Sequence, residues 1–262
     1  MPEITRNPAL ACPVRSYPDL AFAALDILCG FLSKSSLKLS AHSPDGRVNS
    51  SKNEEEVIHH LTVSTEANEE FQRECLEIKS SVSRDWYDFS IERREDKLFI
   101  PVNIKVTECA SADNLNCKLG LYYALTGQMP NFRNGIGWIS YLEKLHEGLQ
   151  RATNNDKDYF LLVVNKVVPE ASGIRDVFSS SLKRLTELTP NSSNLPFQCC
   201  WNNNRSRQTR TQDEARAFLL GKFWKSLSQR EAAVTKFRLL FPDIVSPPAS
   251  STPAAPPSAV AS

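Results

Sequence analysis

The sequence lacks any apolar run approaching the ~18–20 residues that a membrane-spanning helix requires. Its N-terminus lacks a basic stretch followed by an apolar run and a small-residue cleavage site, so a cytoplasmic chain is expected. Its seven cysteines lack zinc-ligand spacing, because Cys199 and Cys200 are adjacent and the others are scattered. That argues against the common structural zinc sites and predicts free thiols in a reducing compartment. There is no internal repeat. The net charge is only +1, so the chain is not globally basic.

The charges are distributed unevenly. From Ser50 to Lys97 thirteen acidic residues face seven basic ones. From Trp201 to Leu240 nine basic residues are opposed only by Asp213, Glu214 and Glu231. An acidic segment can gather metal ions and a basic one can meet phosphates. Charged helix faces in water would give the same counts.

Residues 1–18 contain four prolines and predict a flexible lead-in, residues 19–245 a single domain, and residues 246–262 a disordered tail of Pro, Ala and Ser. Leu20–Leu32 predicts a helix. Pro44-Asp45-Gly46 predicts a tight turn. Asn53 is a plausible N-cap, with Glu54, Glu55 and Glu56 in the first turn and Val57, Ile58 and Leu61 as an apolar stripe. Trp86–Ile91 predicts a strand, Glu92–Lys97 a charged turn, and Leu98–Val106 an alternating strand. Asp113–Thr126 predicts a helix ended by Gly127. Tyr159–Val164 predicts a buried strand, and Arg175–Leu188 and Glu214–Leu227 predict helices.

The two strands around residues 92–97 can bring Asp88 beside Lys105, and alternation puts Asn103 on the same strand face as Lys105. Hydrolysis of a phosphodiester uses such a group. A hard oxygen ligand can hold Mg²⁺, and a lysine can orient the attacking water or stabilise a developing oxyanion. Taken alone, Asp88 could equally be a salt-bridged strand-end carboxylate and Lys105 a snorkelling surface lysine.

The stretches WYDFSI (86–91) and KLFIPVNIKVTE (97–108) resemble the PD-(D/E)xK nucleases, which include many type II restriction enzymes. Asp88 matches the first acid, Asn103 the second and Lys105 the lysine. Asn103 departs from the usual Asp or Glu: its amide oxygen can ligate a metal but brings no charge. A second metal ligand could then be water, the Ile104 carbonyl or a carboxylate from elsewhere; the resemblance points to a further acid from an N-terminal helix, with Glu55 the first choice among Glu54, Glu55 and Glu56. Three longer stretches resemble restriction endonucleases of the NgoBV/NlaIV family, which cut double-stranded DNA at GGNNCC. They are GRVNSSKNEEEVI (46–58), PVNIKVTECASADNLNCKLGLYYALTG (101–127) and NLPFQCCWNNNRSRQTRTQDEARAFLLGKFWKSL (194–227). The resemblance runs from about Gly46 to Leu227. It implies an α/β (α+β) fold with a central mixed β-sheet flanked by helices, as in restriction endonucleases. It further implies Mg²⁺ as cofactor, a bacterial cytoplasmic enzyme, and a cognate DNA methyltransferase as functional partner in a restriction-modification system. A palindromic site implies a homodimer, each subunit cutting one strand. A repair or structure-specific nuclease on the same scaffold, or a non-catalytic DNA-binding relative, remains an alternative.

In the major groove G·C pairs are read by Arg or Lys on guanine O6/N7 and by carboxylates or carbonyls on cytosine N4. Two segments offer such groups. Asp113, Asn114, Asn116 and Lys118 follow the second strand of the hairpin. Asn202, Asn203, Asn204, Arg205, Arg207 and Arg210 form a dense polar loop without glycine or proline, and bound DNA would give it a reason to be ordered.

Overall fold

The computed structural model describes residues 15–39, 46–82, 85–109, 111–166 and 173–240, with only the backbone for residues 46–50. Helix α1 (Tyr17–Lys34) starts where local chemistry favours it. Ser16 accepts the Asp19 N–H, and Pro18 occupies the first turn, where a missing donor costs little. Leu20, Ala24, Leu25, Leu28 and Leu32 form its buried stripe. The lead-in expected over 1–18 therefore ends early, since Tyr17 and Pro18 are already helical. Residues 1–14, the turn at Pro44-Asp45 and the tail from residue 241 lie outside the described residues.

Helix α2 (Gly46–Glu66) begins well before Asn53, which is a buried helix-interior residue rather than an N-cap. The stripe Val57, Ile58 and Leu61 is buried as expected. A short helix α3 (Glu69–Arg73) follows, capped by Asn68 through the N–H groups of Glu70 and Phe71.

The main sheet contains β1 (Glu77–Ser80), β2 (Phe89–Arg93), β3 (Leu98–Thr107), β5 (Phe160–Lys166) and β6 (Ile174–Ser181), in the order β1-β2-β3-β5-β6. The β3–β5 pair is parallel and the others antiparallel, so the sheet is mixed. A second sheet has the order β4-β8-β7, from β4 (Ala112–Leu115), β7 (Thr189–Pro190) and β8 (Phe197–Cys200). Helices α4 (Lys118–Thr126), α5 (Trp138–Arg151) and α6 (Gln212–Leu240) complete the α+β architecture. None of the helices among the described residues is long and apolar enough to cross a membrane.

The main sheet separates two cores. Val102, Ile104, Phe160, Leu162 and Val164 face α1 and α2. Leu161 and Val163 face α4, α5, α6 and the small sheet. In the parallel register Asn103 pairs with Leu161 and Lys105 with Val163, so both polar residues share the second face. The expected alternation holds from Val102 to Val106, whereas Phe99 lies on the Asn103 side, against Trp86 and Tyr123.

Three helix expectations are corrected. Asp113–Thr126 is strand β4 followed by α4, because residues 112–115 find hydrogen-bond partners in β8, far away in sequence. Gly127 does end the helix, at φ 70°. Arg175–Leu188 is mostly strand β6, followed by a single 3₁₀ turn at Leu182–Arg184. Pairing with β5 overrides the helix-compatible spacing of its apolar residues. Helix α6 runs thirteen residues past the expected Leu227. Its buried positions, Ala215, Leu219, Phe223 and Ser226, stop there, and with them the periodic signal. The first strand of the hairpin begins at Phe89 rather than Trp86.

Candidate active site

Asp88 sits one residue before β2. Its N–H donates to Val102 O (2.9 Å) and its carbonyl accepts Ser81 N–H (3.1 Å), so its backbone is held between β1 and β3. A set of aromatic rings fixes the approach to it. Trp86 stacks on Tyr159 (centroids 5.6 Å apart) and leans on Tyr123 (5.3 Å). The Tyr159 hydroxyl donates to Trp86 O at 2.6 Å. Gly120 makes this possible: a Cβ there would lie 2.6 Å from the Tyr159 ring.

The Asp88 side chain meets β3. Its Oδ2 accepts Asn103 Nδ2 at 2.7 Å and Ile104 N–H at 2.6 Å. Burial pushes the Asp88 carboxyl up to about 6, and the Glu54 carboxylate adds to the push. The Ile104 N–H and the Lys105 ammonium pull the other way. Asp88, Asn103 and Lys105 line one cavity of about 160 Å³, together with Asn114, Asn116, Lys118 and Tyr159. On its other side Asp88 borders a groove of about 590 Å³, walled by Glu54, Glu55 and His59 of α2 and by Tyr87.

The structure thus brings Asp88, Asn103 and Lys105 together, as the hairpin predicted. The acid beside Asp88 electrostatically is Glu54, not Glu55; Glu55 is exposed and borders the same groove. Helix phase could have shown this. Glu54 precedes Ile58 by four residues and Leu61 by seven, which puts it on the inward edge of the helix. Asp85 was not singled out in the sequence. It borders both spaces, with Oδ2 accepting Val82 N–H.

The donor set suits a small hard cation. Asp88 has an oxygen beyond the one taken by two N–H donors, Asn103 offers its amide oxygen, and Glu54 stands across the groove. Mg²⁺ commonly takes only one or two carboxylates and keeps several waters. Among the described residues no group of three or more His, Cys, Asp or Glu is gathered for a metal.

The expected DNA-contacting residues divide. Asn114 and Asn116 are exposed and border the cavity. Asp113 points inward and accepts the Trp201 indole N–H at 2.5 Å. Lys118 is buried; its ammonium donates to Ile136 O (2.6 Å) and lies 4.2 Å from the Trp138 ring centre. Asn202 is exposed and accepts from Arg205. Asn204 is buried, donating to Glu187 O and Cys200 O and accepting Glu187 N–H. Arg205 pairs with Asp176 at 2.8 Å, Arg207 with Asp26, and Arg210 donates to Lys183 O and Leu185 O. Acceptors within the chain therefore already order this loop, so its order is no argument for bound DNA.

No protein-family model matches the chain, and no curated protein matches it. The likeness to restriction endonucleases rests on the residues quoted from the sequence.

Proposed function

We propose that the chain is a Mg²⁺-dependent type II restriction endonuclease, hydrolysing phosphodiester bonds of double-stranded DNA at a short palindromic site of the GGNNCC kind. The observation that carries this reading is the meeting of Asp88, Asn103 and Lys105 on one sheet face around one cavity, with Glu54 across from Asp88. Asp88, the Asn103 amide oxygen and Glu54 would hold the cation. A bound Mg²⁺ would offset charge on the scissile phosphate and lower the pKa of water.

The remaining chemistry belongs to the chain. The Ile104 N–H and the Asn103 amide fix the rotation of the Asp88 carboxylate, so one oxygen keeps a constant aim. The Lys105 ammonium orients the attacking water and stabilises negative charge as it grows on the phosphoryl oxygens. The clamp of Trp86, Tyr123 and Tyr159 keeps the Asp88 segment from shifting as substrate enters. A two-fold dimer, each subunit cutting one strand, fits a palindromic site.

Incubation with supercoiled plasmid and Mg²⁺ tests the proposal. Discrete bands of reproducible length support it. Smearing, or cuts limited to branched DNA, would favour a repair or structure-specific nuclease. DNA binding without cleavage would favour a non-catalytic relative, a reading that the amide at residue 103 supports.

A further inference from the structure

The outward face of the small sheet carries a set of amides that the proposed chemistry leaves unused. In the β4–β8 register Asn114 lies opposite Gln198, and Gln198 opposite Thr189 of β7. Leu115, Phe197 and Cys199 point into the core, so Asn114 and Gln198 point away from it. Asn191, just after β7, reaches both: its Nδ2 lies 2.7 Å from Asn114 Oδ1 and 3.5 Å from Gln198 Oε1.

The hydrogen bonds settle which way each amide faces. Asn191 Oδ1 accepts the N–H groups of Ser193 (3.1 Å) and Asn194 (3.0 Å), so its oxygen is committed to its own loop. Its NH₂ must therefore face Asn114 and Gln198. Those two respond with their oxygens, which turns their own NH₂ groups away from Asn191. Asn191 is itself fixed from below. Its N–H donates to Ser226 Oγ of α6 (2.9 Å), and buried Ser226 donates to Pro196 O (2.6 Å). The result is a pair of neighbouring NH₂ donors on a rigid strand pair. Asn114 also borders the cavity of Asp88 and Lys105.

We infer that Asn114 and Gln198, oriented by Asn191, form a guanine-reading platform for the duplex that the proposed nuclease cuts. This inference rests on that nuclease reading. In the major groove guanine presents two adjacent acceptors, N7 and O6. Adenine offers one acceptor and one donor, and cytosine offers a donor, so each would set an N–H₂ group against another. A paired-donor surface selects guanine. Asn191 touches no base in this arrangement and acts as the positioning residue.

The test is selection of bound duplexes from a pool with a short randomised window, using full-length Lys105→Ala protein without added metal. Guanine is expected to be enriched at one or more positions. Asn114→Ala and Gln198→Ala should each weaken that preference by about tenfold while binding to unselected duplex persists. Asn191→Asp keeps an oxygen for the Ser193 and Asn194 N–H groups but sets a second oxygen, in place of the NH₂, against Asn114 and Gln198, so the two amides turn and the guanine preference should fall or pass to cytosine. A probe that needs no variant is 7-deazaguanine, which lacks the N7 acceptor; at the preferred position it should weaken binding about tenfold. Absence of guanine enrichment, enrichment untouched by Asn114→Ala and Gln198→Ala, or indifference to 7-deazaguanine overturns the inference. Discrete plasmid cleavage without guanine preference would defeat the platform and leave the nuclease. Guanine-selective binding by a wild type that never cuts would do the reverse.

Discussion

Gly120 and Gly221 are both helix-interior glycines, and the same change at each should have opposite effects. In α4, a Cβ at Gly120 would meet Tyr159 Cδ1 at 2.6 Å and Cε1 and Cγ at 2.7 Å. Ordinary contact begins near 3.4 Å, so the ring must move by roughly 0.8 Å. Tyr159 is 2 % exposed, stacked on Trp86 and hydrogen-bonded to its carbonyl, so it cannot simply swing aside. Overpacking of this kind costs ~1–3 kcal/mol, and three close ring atoms argue for the upper half. Alanine returns up to ~1 kcal/mol of helix propensity. The net is a loss of about 1–2 kcal/mol, or a drop of roughly 2–8 °C in Tm for a chain of this size. In α6, a Cβ at Gly221 meets nothing within 4 Å, so only the propensity gain of ~0.5–1 kcal/mol remains. Urea denaturation followed by circular dichroism reads both signs. Since Trp86 leads directly into Asp88, Gly120→Ala should also slow plasmid cleavage, by up to ~100-fold if Asp88 follows the ring. A Gly120→Ala protein as stable as wild type would refute the argument from close contact. Full activity in a destabilised Gly120→Ala protein would refute the role given to the aromatic clamp.

On the nuclease reading, Lys105→Ala should lower plasmid cleavage at least ~100-fold with an unchanged denaturation midpoint, because Lys105 borders the cavity rather than the core. Glu54→Gln should cost more activity than Glu55→Gln in the same Mg²⁺ titration, and equal losses would remove Glu54 from the site. Asn204→Ala should destabilise by about 2–3 kcal/mol in denaturant melts, since it strips partners from Glu187 and Cys200 in a buried position. Burial pushes the Asp176 carboxyl up, but hydrogen bonds from Arg205 and Asn165 together outweigh it and leave it below the ordinary range. A carboxyl lowered in the folded state adds stability above the unfolded pKa of ~3.9 and loses it as pH falls through the folded value. Arg205→Ala should therefore melt slightly below wild type at pH 7, by well under ~1 kcal/mol for so exposed a pair, and the gap should close in acid.

What could be read from the sequence follows from how far apart in the chain the deciding partners are. Asp88, Asn103 and Lys105 come from one hairpin, where strand alternation and a short charged turn fix which side chains share a face. That geometry is local, and it came out as expected. The choice between Glu54 and Glu55 needed the phase of α2, which the apolar stripe at Ile58 and Leu61 encoded and the assumed N-cap at Asn53 obscured. The small sheet was illegible for a different reason. Its three strands are two to four residues long, too short to show a period, and β4 lies far in sequence from β7 and β8, so that its pairing is made only through tertiary contact. The polar loop after Trp201 shows the same limit from the other side. Its arginines have acceptors at Asp26, Asp176, Lys183 and Leu185, and nothing in residues 201–210 announces them. Basic density there marks internal ties, whereas Asn114 and Gln198 of the small sheet face outward, Asn114 beside the cavity. If the chain reads sequence in DNA, charge alone does not mark the residues: Asn114, already a candidate from its place after the hairpin, and Gln198, which was not, are both neutral, and their direction is set by Asn191, which no motif around the hairpin contains.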